Sequence, residues 1–206
     1  MATIGIIDYQ MGNLASLINS VAQIGHKAEV VRDAQKLSQY GKLILPGVGA
    51  FGDAADHLKQ SGLDEAIKSY VSEGGWLFGI CLGMQMLFAA SEESPGKAGL
   101  GLLPGGVKRF DPLRAAHPIK IPHMGWNRLK LHHHSPLFAG IEEGERLYFV
   151  HAYHAECDAA YTVASCFYGY DFTAAVQHEN LLGLQPHPEK SHTAGLKILK
   201  NFAELK

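Results

Sequence analysis

The sequence lacks the features that mark membrane proteins and nucleic-acid-binding proteins. Its 206 residues contain no apolar run near the roughly 20 residues that a membrane helix needs. The first apolar run ends at Asp8, too early for a secretory signal. The formal net charge is -2, so no overall basic field attracts nucleic acid or anionic lipid. The expected ligand is a small molecule, and neither nucleic acid nor a membrane is an expected partner.

Cysteine is also scarce. The three cysteines are Cys81, Cys157 and Cys166, an odd number that does not suggest a disulfide framework. Without a secretory start, this use of cysteine predicts a cytoplasmic protein. Cys157 and Cys166 are interpreted as core cysteines, because burial is the usual fate of a free cysteine.

Linkers are missing as well, since no Pro/Gly/Ser-rich or charge-rich stretch and no internal repeat interrupts the chain. Hydrophobic residues make up 47% and charged residues 18%, which is ordinary for a chain with a sizeable core. We therefore predict a single domain over residues 1–206.

Apolar runs alternate with helical periodicity in the first half of the chain. Strands are predicted at 3–7, 28–31, 42–45 and 76–80, and helices at 14–24, 63–73 and 82–90. The second half adds strands near 107–110, 147–152, 161–167, 174–177 and 181–185, and a helix at 191–205 closes the chain. The uninterrupted apolar strand 76–80 suits a buried parallel sheet, so the fold class is α/β.

The segment 79–83, Gly-Ile-Cys-Leu-Gly, lies between a predicted strand and a predicted helix. Glycines on both flanks suit so sharp a turn, because a side chain at either position would collide with neighbouring backbone. Such an elbow projects the Cys81 thiol at the carboxyl edge of the sheet, where the N-terminus of the next helix favours a thiolate. Cys81 is therefore the candidate nucleophile.

An acyl-transfer nucleophile also needs N–H donors for the oxyanion that forms. The N–H of Leu82, directly after the nucleophile, is the first candidate. The second comes from the loop 46–49, Pro-Gly-Val-Gly, where Val48 and Gly49 can turn a peptide N–H toward the site. Taken alone, this loop is equally well explained as a tight turn between a strand and a helix.

His187, Pro188 and Glu189 form a compact motif about a hundred residues after Cys81. Residues two apart in an extended segment share a face, so the Glu189 carboxylate can orient the His187 ring. Pro188 fixes the backbone between them. A carboxylate on one ring nitrogen leaves the other free to accept the thiol proton, which makes His187 the candidate base.

The remaining histidines do not predict a metal site, and no cofactor is expected. The run 132–134 consists of three consecutive histidines, which cannot all point one way, and the nearby Pro136 suggests an exposed loop. The isolated histidines without ligand-like partners at helical or hairpin spacing are interpreted as ordinary: His117, His123 and His178.

On these residues, the chain resembles the class I, or triad, glutamine amidotransferases. The likeness rests on segment 79–85, Gly-Ile-Cys-Leu-Gly-Met-Gln, and on the His-Pro-Glu motif at 187–189. Within that family it is most similar to the glutaminase subunits of imidazole glycerol phosphate synthase, through segments 8–14, 46–51, 123–127 and 148–153. The resemblance covers essentially the whole chain. It implies a flavodoxin-like fold with a mostly parallel central sheet, flanking helices and added antiparallel strands in the second half.

The resemblance also implies hydrolysis of glutamine to glutamate and ammonia through a γ-glutamyl thioester on Cys81. Gln85 lies one helical turn after Cys81 and would face the same pocket. His151 and Tyr153 alternate on one strand face and would line the pocket too, although a half-buried strand explains them equally well. Three positions depart from the family pattern, in which glycine, a small hydroxyl residue and an aromatic residue are usual: Gln10, Ala152 and Pro186.

A partner is implied because a glutaminase fold would use all 206 residues, leaving no room for a site that consumes the ammonia. By resemblance the partner is a cyclase subunit with a (β/α)8 barrel, in a one-to-one heterodimer. It would receive ammonia along a shielded path, since free ammonia mostly protonates in water. The likeness assigns three residues to the subunit interface, although a turn, a core aromatic and a surface lysine explain them equally well: Asn13, Trp126 and Lys190.

Three other functions compete with this hypothesis. The first is the glutaminase of another synthase, such as that for pyridoxal phosphate, anthranilate or guanylate, and the segment 123–127 argues against it. The second is a cysteine peptidase or deglycase-like hydrolase, in which Gln85 has no obvious use. The third is a non-catalytic binding module, which the intact Cys81, His187 and Glu189 disfavour.

Overall fold

The computed structural model describes residues 3–206, so residues 1 and 2 of the predicted domain lie outside this description. The helices in this range are α1 (Leu14–Gln23), α2 (Phe51–Gln60), α3 (Leu63–Ser72), α4 (Leu82–Gln85) and α5 (His192–Ala203). The strands are β1 (Ile4–Ile7), β2 (Ala28–Val31), β3 (Lys42–Leu45), β4 (Trp76–Ile80), β5 (Gly106–Arg109), β6 (His123–Arg128), β7 (Lys130–Leu131), β8 (Arg146–His151), β9 (Tyr153–Glu156), β10 (Thr162–Phe167), β11 (Asp171–His178) and β12 (Leu181–Leu184). Short 3-10 turns lie at Ala34–Gln39, Pro136–Phe138 and Pro188–Lys190. No helix within residues 3–206 is long and apolar enough to cross a membrane.

The main sheet of the described chain combines parallel and antiparallel strands. Its order is β2-β1-β3-β4-β12-β11-β10-β7, with β9 paired to β11 and β5 paired to β9. Neighbouring strands from β2 to β12 in this order pair in parallel. The pairs β12–β11, β11–β10 and β10–β7 are antiparallel. The predicted sheet, parallel at its centre with antiparallel additions from the second half, is confirmed. Strand β12, predicted among the additions, in fact lies inside the parallel part, beside β4.

Side chains of the parallel strands alternate between the two faces of the sheet, and both faces are buried. On one face, Ile44 and Phe78 belong to a core cluster with residues of α1 and α5. On the other, Leu45 and Leu77 belong to a second cluster with residues of α2 and α3. Each fully buried Leu or Phe contributes about 1.5–3 kcal/mol to stability. Helices on both faces thus hold the carboxyl ends of the parallel strands in place.

The helix predicted over 82–90 is wrong in length, because α4 ends at Gln85. Beyond it, the carbonyl of Met86 accepts from the N–H of Leu100, and that of Leu87 from the N–H of Leu102, each at 2.8 Å. These carbonyls are therefore not available to residues four positions further on, and the helix cannot continue. Four other helices and strands were not predicted from the periodicity: α2, β6, β7 and β9.

Strands β6 and β8 form a separate two-stranded antiparallel sheet. Its register pairs His123 with His151 at one end. Alternate residues of β6 differ in burial: His123 is buried, whereas Met124 and Trp126 are exposed. One face of β6 therefore contacts the interior near the end of β8, and the other is open.

Candidate active site

Cys81 occupies a strained turn between β4 and α4. Its backbone has φ +53° and ψ -110°, a conformation that costs a non-glycine residue about 1–3 kcal/mol. The turn is held because the Cys81 N–H donates to the carbonyl of Leu184 on the neighbouring strand at 2.8 Å. The residue is 6% exposed, so its thiol is nearly enclosed.

The two glycines beside Cys81 are required by close backbone approaches. A Cβ on Gly79 would lie 2.6 Å from the carbonyl oxygen of Gly83. A Cβ on Gly83 would overlap the carbonyl oxygen of Leu45, at the end of β3. The prediction that a side chain on either flank would collide with backbone is confirmed. The turn therefore packs directly against the end of the adjacent strand.

The loop 46–49 lies against this turn. A Cβ on Gly47 would come within 2.9 Å of the Leu82 side chain. Gly49 has φ +106°, which favours glycine, and Val48 is 41% exposed. Leu82 begins α4, where a backbone N–H has no acceptor within the helix. The two candidate sources of oxyanion donors are thus neighbours beside Cys81.

Tyr9 supports the loop, although no sequence motif singled it out. Its hydroxyl donates to the carbonyl of Pro46 at 2.6 Å, and the side chain is buried. Burial, with a smaller contribution from negative charge on Cys81, raises the pKa of Tyr9 above its usual value. The hydroxyl therefore stays protonated and remains a donor to the loop.

His187 and Glu189 form a buried pair directly after β12. Nδ1 of His187 lies 2.8 Å from Oε1 of Glu189, and both side chains are 3% exposed. The His187 N–H donates to the carbonyl of Tyr148 on β8, which fixes the backbone at this point. Because a carboxylate accepts only, Nδ1 carries the proton and the tautomer is set.

Cys81 affects the pKa of the His187 ring. Nε2 has no hydrogen-bond partner of ordinary geometry within residues 3–206. Burial by itself lowers the pKa of His187, but charge on Cys81 and on Glu189 outweighs it and raises that pKa to about 10. A protonated His187 ring beside Cys81 is therefore favoured.

A cavity of about 280 Å³ opens beside Cys81. It is lined by all six residues predicted for the oxyanion and the substrate: Val48, Gly49, Leu82, Gln85, His151 and Tyr153. It is also lined by Ala152, one of the departures from the family pattern, and by three residues that the sequence did not indicate: Glu93, Pro122 and Val150. Glu93 supplies a carboxylate there, and its other contact is to the N–H of Phe51 at 2.8 Å. The spacing of residues in the sequence did not indicate Glu93, because it lies in the irregular segment after α4.

Gln185 is a further buried residue at the site that the sequence reasoning missed. Its Nε2 donates to Sγ of Cys81 at 3.6 Å, and its Oε1 accepts from Nε2 of Gln85 at 3.0 Å. The predicted support for a thiolate was the dipole of a longer helix, but α4 spans four residues and its dipole is correspondingly small. Gln185 is a polar side chain that does contact the sulfur. The sequence feature that could have indicated Gln185 is its position two residues before His187.

The three predicted interface residues are all exposed, and two of them lie together. Trp126 is 53% exposed and contacts the ring of Tyr148 edge-on at 5.0 Å. The ammonium of Lys190 lies 5.7 Å from the centre of the same ring. Asn13 instead caps α1, with Oδ1 accepting from the N–H of Ser16 at 3.3 Å. No hydrogen bond or aromatic contact within the described chain joins Asn13 to the other two.

Trp126 also borders a larger depression of about 740 Å³ beside the start of α5. None of Cys81, His187 and Glu189 lines it. Of these three residues, Cys81 lines the smaller cavity.

The remaining cysteines and histidines lie outside this cavity. All three cysteines are free. Cys166 is buried, and burial raises its pKa to about 12, whereas Cys157 is only half-buried. His123, predicted to be ordinary, is buried and hydrogen-bonded to His151. No cluster of three potential metal ligands is found within residues 3–206.

Gln10 is the one departure from the family pattern with a backbone consequence. It has φ +69°, a left-handed conformation that glycine adopts at lower cost. Its N–H donates to the Asp8 carboxylate at 2.9 Å, which holds the turn. Pro186 is buried, and Ala152 contributes to the cavity wall without a hydroxyl.

Comparison with known proteins places the chain in a family. The profile described as "Glutamine amidotransferase class-I" matches residues 5–205. The imidazole glycerol phosphate synthase subunit HisH of Sulfurimonas denitrificans is 53% identical over 202 residues, covering 98% of this chain and 97% of that protein. The subunit of the same name from Wolinella succinogenes is 50% identical, covering 98% and 99%.

Solved structures agree on the fold. The structure of PurLQS from Thermotoga maritima matches with a TM-score of 0.77 at 22% identity, covering 98% of each chain. A glutamine amidotransferase from the same organism matches with a TM-score of 0.69 at 16% identity, covering 98% of this chain and 96% of that one. The chain belongs to the class-I glutamine amidotransferases and, within them, to the family of the imidazole glycerol phosphate synthase subunit HisH.

Proposed function

We propose that this chain, as one domain, is the glutaminase subunit of an imidazole glycerol phosphate synthase. Cys81 is the nucleophile, His187 the base and Glu189 the residue that orients the base. One observation carries the proposal: the Cys81 thiol lines a cavity of about 280 Å³, while the buried His187–Glu189 pair is close enough for Cys81 to raise the pKa of His187. Small-molecule pockets start at about 300 Å³, so the cavity suits a substrate as small as glutamine.

The first half of the reaction forms the thioester. His187 takes the thiol proton, and the Cys81 sulfur attacks the side-chain amide carbon of glutamine. The oxyanion that forms is held by the N–H of Leu82 and by the loop of Val48 and Gly49. The proton on His187 then passes to the departing nitrogen, which leaves as ammonia.

The second half returns the enzyme to its starting state. A water molecule loses a proton to His187 and attacks the thioester carbon, and Cys81 leaves as a thiolate that regains the proton. Glutamate is released. The Glu93 carboxylate and the free side-chain oxygen of Gln85 offer acceptors for the ammonium group of glutamine.

The partner is a cyclase subunit with a (β/α)8 barrel, joined to this chain one to one. It converts an aminoimidazole-carboxamide ribonucleotide intermediate with the ammonia to give imidazole glycerol phosphate and a smaller aminoimidazole-carboxamide ribonucleotide. The naming of the relatives as synthase subunits supports a complex. The exposed Trp126 and Lys190, together with Asn13, face the partner. The free cysteines support the cytoplasm as the location.

The deciding experiment mixes the purified chain with the cyclase partner and measures glutamate released from glutamine. We expect strong stimulation by the nucleotide ligand of the cyclase. Cys81→Ala should abolish glutamine-dependent synthesis and leave synthesis from ammonium salts intact, because the fold and the partner are unaffected. Cys157→Ala is the matched control, since this cysteine lies outside the cavity.

Two outcomes would contradict the proposal. Glutamine turnover that survives Cys81→Ala would exclude the thioester route. Stimulation by the cyclase of a different synthase, and not by this one, would exclude the assigned pathway while leaving the glutaminase chemistry standing.

A further inference from the structure

A line of hydrogen bonds begins on β6 and leads inward to the end of β8. Nδ2 of Asn127 lies 3.3 Å from Nε2 of His123, whose Nδ1 lies 3.1 Å from Nε2 of His151. Nδ1 of His151 lies 2.7 Å from the carbonyl oxygen of Tyr153. Both histidines are buried, so water does not satisfy these groups.

The line continues from Tyr153 to the nucleophile. The same carbonyl accepts from Nε2 of Gln85 at 3.0 Å. That Nε2 also donates to Oε1 of Gln185 at 3.0 Å, and Nε2 of Gln185 donates to Sγ of Cys81 at 3.6 Å. The exposed strand β6 and the Cys81 sulfur are therefore the two ends of one hydrogen-bonded series, here called the relay: Asn127, His123, His151, Tyr153, Gln85, Gln185 and Cys81.

Backbone groups fix the direction of the first half of the relay. Asn127 donates through Nδ2 to the carbonyl of Phe167 at 2.9 Å and accepts through Oδ1 from the N–H of Arg128 at 2.8 Å, so its amide has one orientation. At the other end, the Tyr153 carbonyl only accepts. His151 and His123 must each carry a proton on Nδ1 and accept at Nε2.

This assignment leaves no place for a second proton on either ring. A proton on Nε2 of His151 would face the Nδ1 proton of His123, and one on Nε2 of His123 would face the Asn127 amide. Burial lowers the pKa of His123 to about 4 and that of His151 well below its usual value. Positive charge on His123, His154 or His187 would lower the pKa of His151 further. Both rings are neutral at physiological pH.

We propose that the relay is a positioning device for glutamine hydrolysis, in which His123 and His151 hold the Tyr153 carbonyl, and through it the two glutamine amides, so that Gln185 donates to the Cys81 sulfur. The inference rests on the proposed function. It adds that β6, whose outer face exposes Met124 and Trp126, is connected to the nucleophile by polar contacts. His123 acts through the other residues and does not touch the substrate.

The first test is spectroscopic and does not depend on activity. Nitrogen-15 chemical shifts of the histidine rings in the full chain should report the Nδ1–H tautomer, uncharged, for both His123 and His151 between about pH 6 and 9. An Nε2–H tautomer or a charged ring at either position overturns the relay. A complex that hydrolyses no glutamine would overturn the proposed function and leave this measurement readable.

The second test is kinetic, in the complex with the cyclase partner. His123→Phe keeps a ring between Phe149 and Tyr168, which stack on it at 4.7 and 4.1 Å, but removes both hydrogen bonds. We expect kcat for glutamine to fall about fivefold, the factor that one neutral hydrogen bond is worth, with KM within about twofold. His123→Asn keeps a donor toward His151 and should restore most of kcat. Ammonium-dependent synthesis reports that each variant is folded and assembled.

The matched control is His154→Phe. His154 is buried in the same aromatic cluster, but its ring contacts the carbonyl of Ala155 and the hydroxyl of Tyr170, outside the relay. Its kcat should match the wild type. A wild-type kcat in His123→Phe, or an equal loss in His154→Phe, overturns the proposal.

A double-mutant cycle tests the connection between the two ends. Gln185→Met fills the same space and removes the donor to the Cys81 sulfur. If the relay operates, His123→Phe and Gln185→Met together lower kcat by clearly less than the product of their separate effects, since each interrupts the same series. Effects that multiply would mean that the two residues act independently, and the relay would be rejected.

Discussion

Oε1 of Glu189 lies 2.8 Å from Nδ1 of His187, in a setting where both side chains are 3% exposed. The other atoms of the pair, Oε2 of Glu189 and Nε2 of His187, have no hydrogen-bond partner within the described chain. The ring is therefore oriented by this one contact and by its backbone, without help from surface water. Losing the carboxylate removes the hydrogen-bond partner that the His187 ring has within the described chain.

Glu189→Gln should lower kcat for glutamine by about 10³- to 10⁴-fold, as for other carboxylates that orient a catalytic histidine. The amide keeps the size of the side chain but supplies no charge for the imidazolium and can turn its N–H toward the ring. Glutamate release in the complex is the measurement. Glu65→Gln, an exposed carboxylate on α3, should leave kcat unchanged, and equal losses in the two variants would contradict the assigned role.

The pKa of His187 should depend on Cys81. The folded pKa is about 10, against 6.5 for a free histidine, and charge on Cys81 is the largest contribution that raises it. The stabilisation from the charged ring is fully present below about pH 6.5 and is lost as the pH rises through about 10. In Cys81→Ala the pKa should fall, so the loss of unfolding free energy should begin at lower pH.

Nuclear magnetic resonance titration of the His187 ring measures that pKa directly, and denaturant unfolding between about pH 6 and 10 measures its effect on stability. The same His187 pKa in wild type and Cys81→Ala would show that the charge comes from another source.

The strain at Cys81 should appear as a stability difference between two variants that both lack the thiol. Cys81 has φ +53° and ψ -110°, the mirror image of an extended conformation, which glycine adopts without penalty. Cys81→Gly should therefore be more stable than Cys81→Ala by about 1 kcal/mol, the strain relieved less the greater freedom of glycine in the unfolded chain. Urea unfolding compares the two, and a more stable alanine variant would mean that the turn is not strained.

The close approach at Gly83 should make it far less tolerant than a glycine in open space. Gly83→Ala forces a Cβ against the carbonyl of Leu45, so β3 and α4 must separate. We expect a loss above about 3 kcal/mol, seen as a large drop in the unfolding midpoint or as insoluble protein. Gly25→Ala, at φ +82° with nothing within 4 Å, should cost only about 1 kcal/mol. Similar costs at the two positions would contradict the packing.

The sequence predicted the parts of the site that lie in short motifs. The glycines around Cys81 and the alternation in His187-Pro188-Glu189 are local consequences of a tight turn and an extended segment, so both could be read directly. Val48, Gly49 and Leu82 followed from the need for oxyanion donors, and the other three pocket residues, Gln85, His151 and Tyr153, followed from the family resemblance. All six line one cavity.

What the sequence did not predict depends on contacts between distant residues. The length of α4 is decided by Leu100 and Leu102, whose N–H groups take the carbonyls that a longer helix would need. Gln185 contacts Cys81, which lies 104 positions earlier in the sequence, and His123 contacts His151, 28 positions later. A periodic pattern in the sequence does not indicate contacts between such distant residues. Buried polar side chains look like surface residues until their partners are known.

Strand β12 pairs in parallel with β4, Leu184 beside Ile80, so the strands that lead into His187 and Cys81 are immediate neighbours although about a hundred residues separate them. During synthesis the proposed nucleophile, Cys81, therefore leaves the ribosome long before the proposed base, His187. Closing a loop of that size is among the slowest steps in forming a sheet. A nascent chain that stops before β12 holds a thiol without its histidine, so glutamine hydrolysis begins only when the final strand has docked.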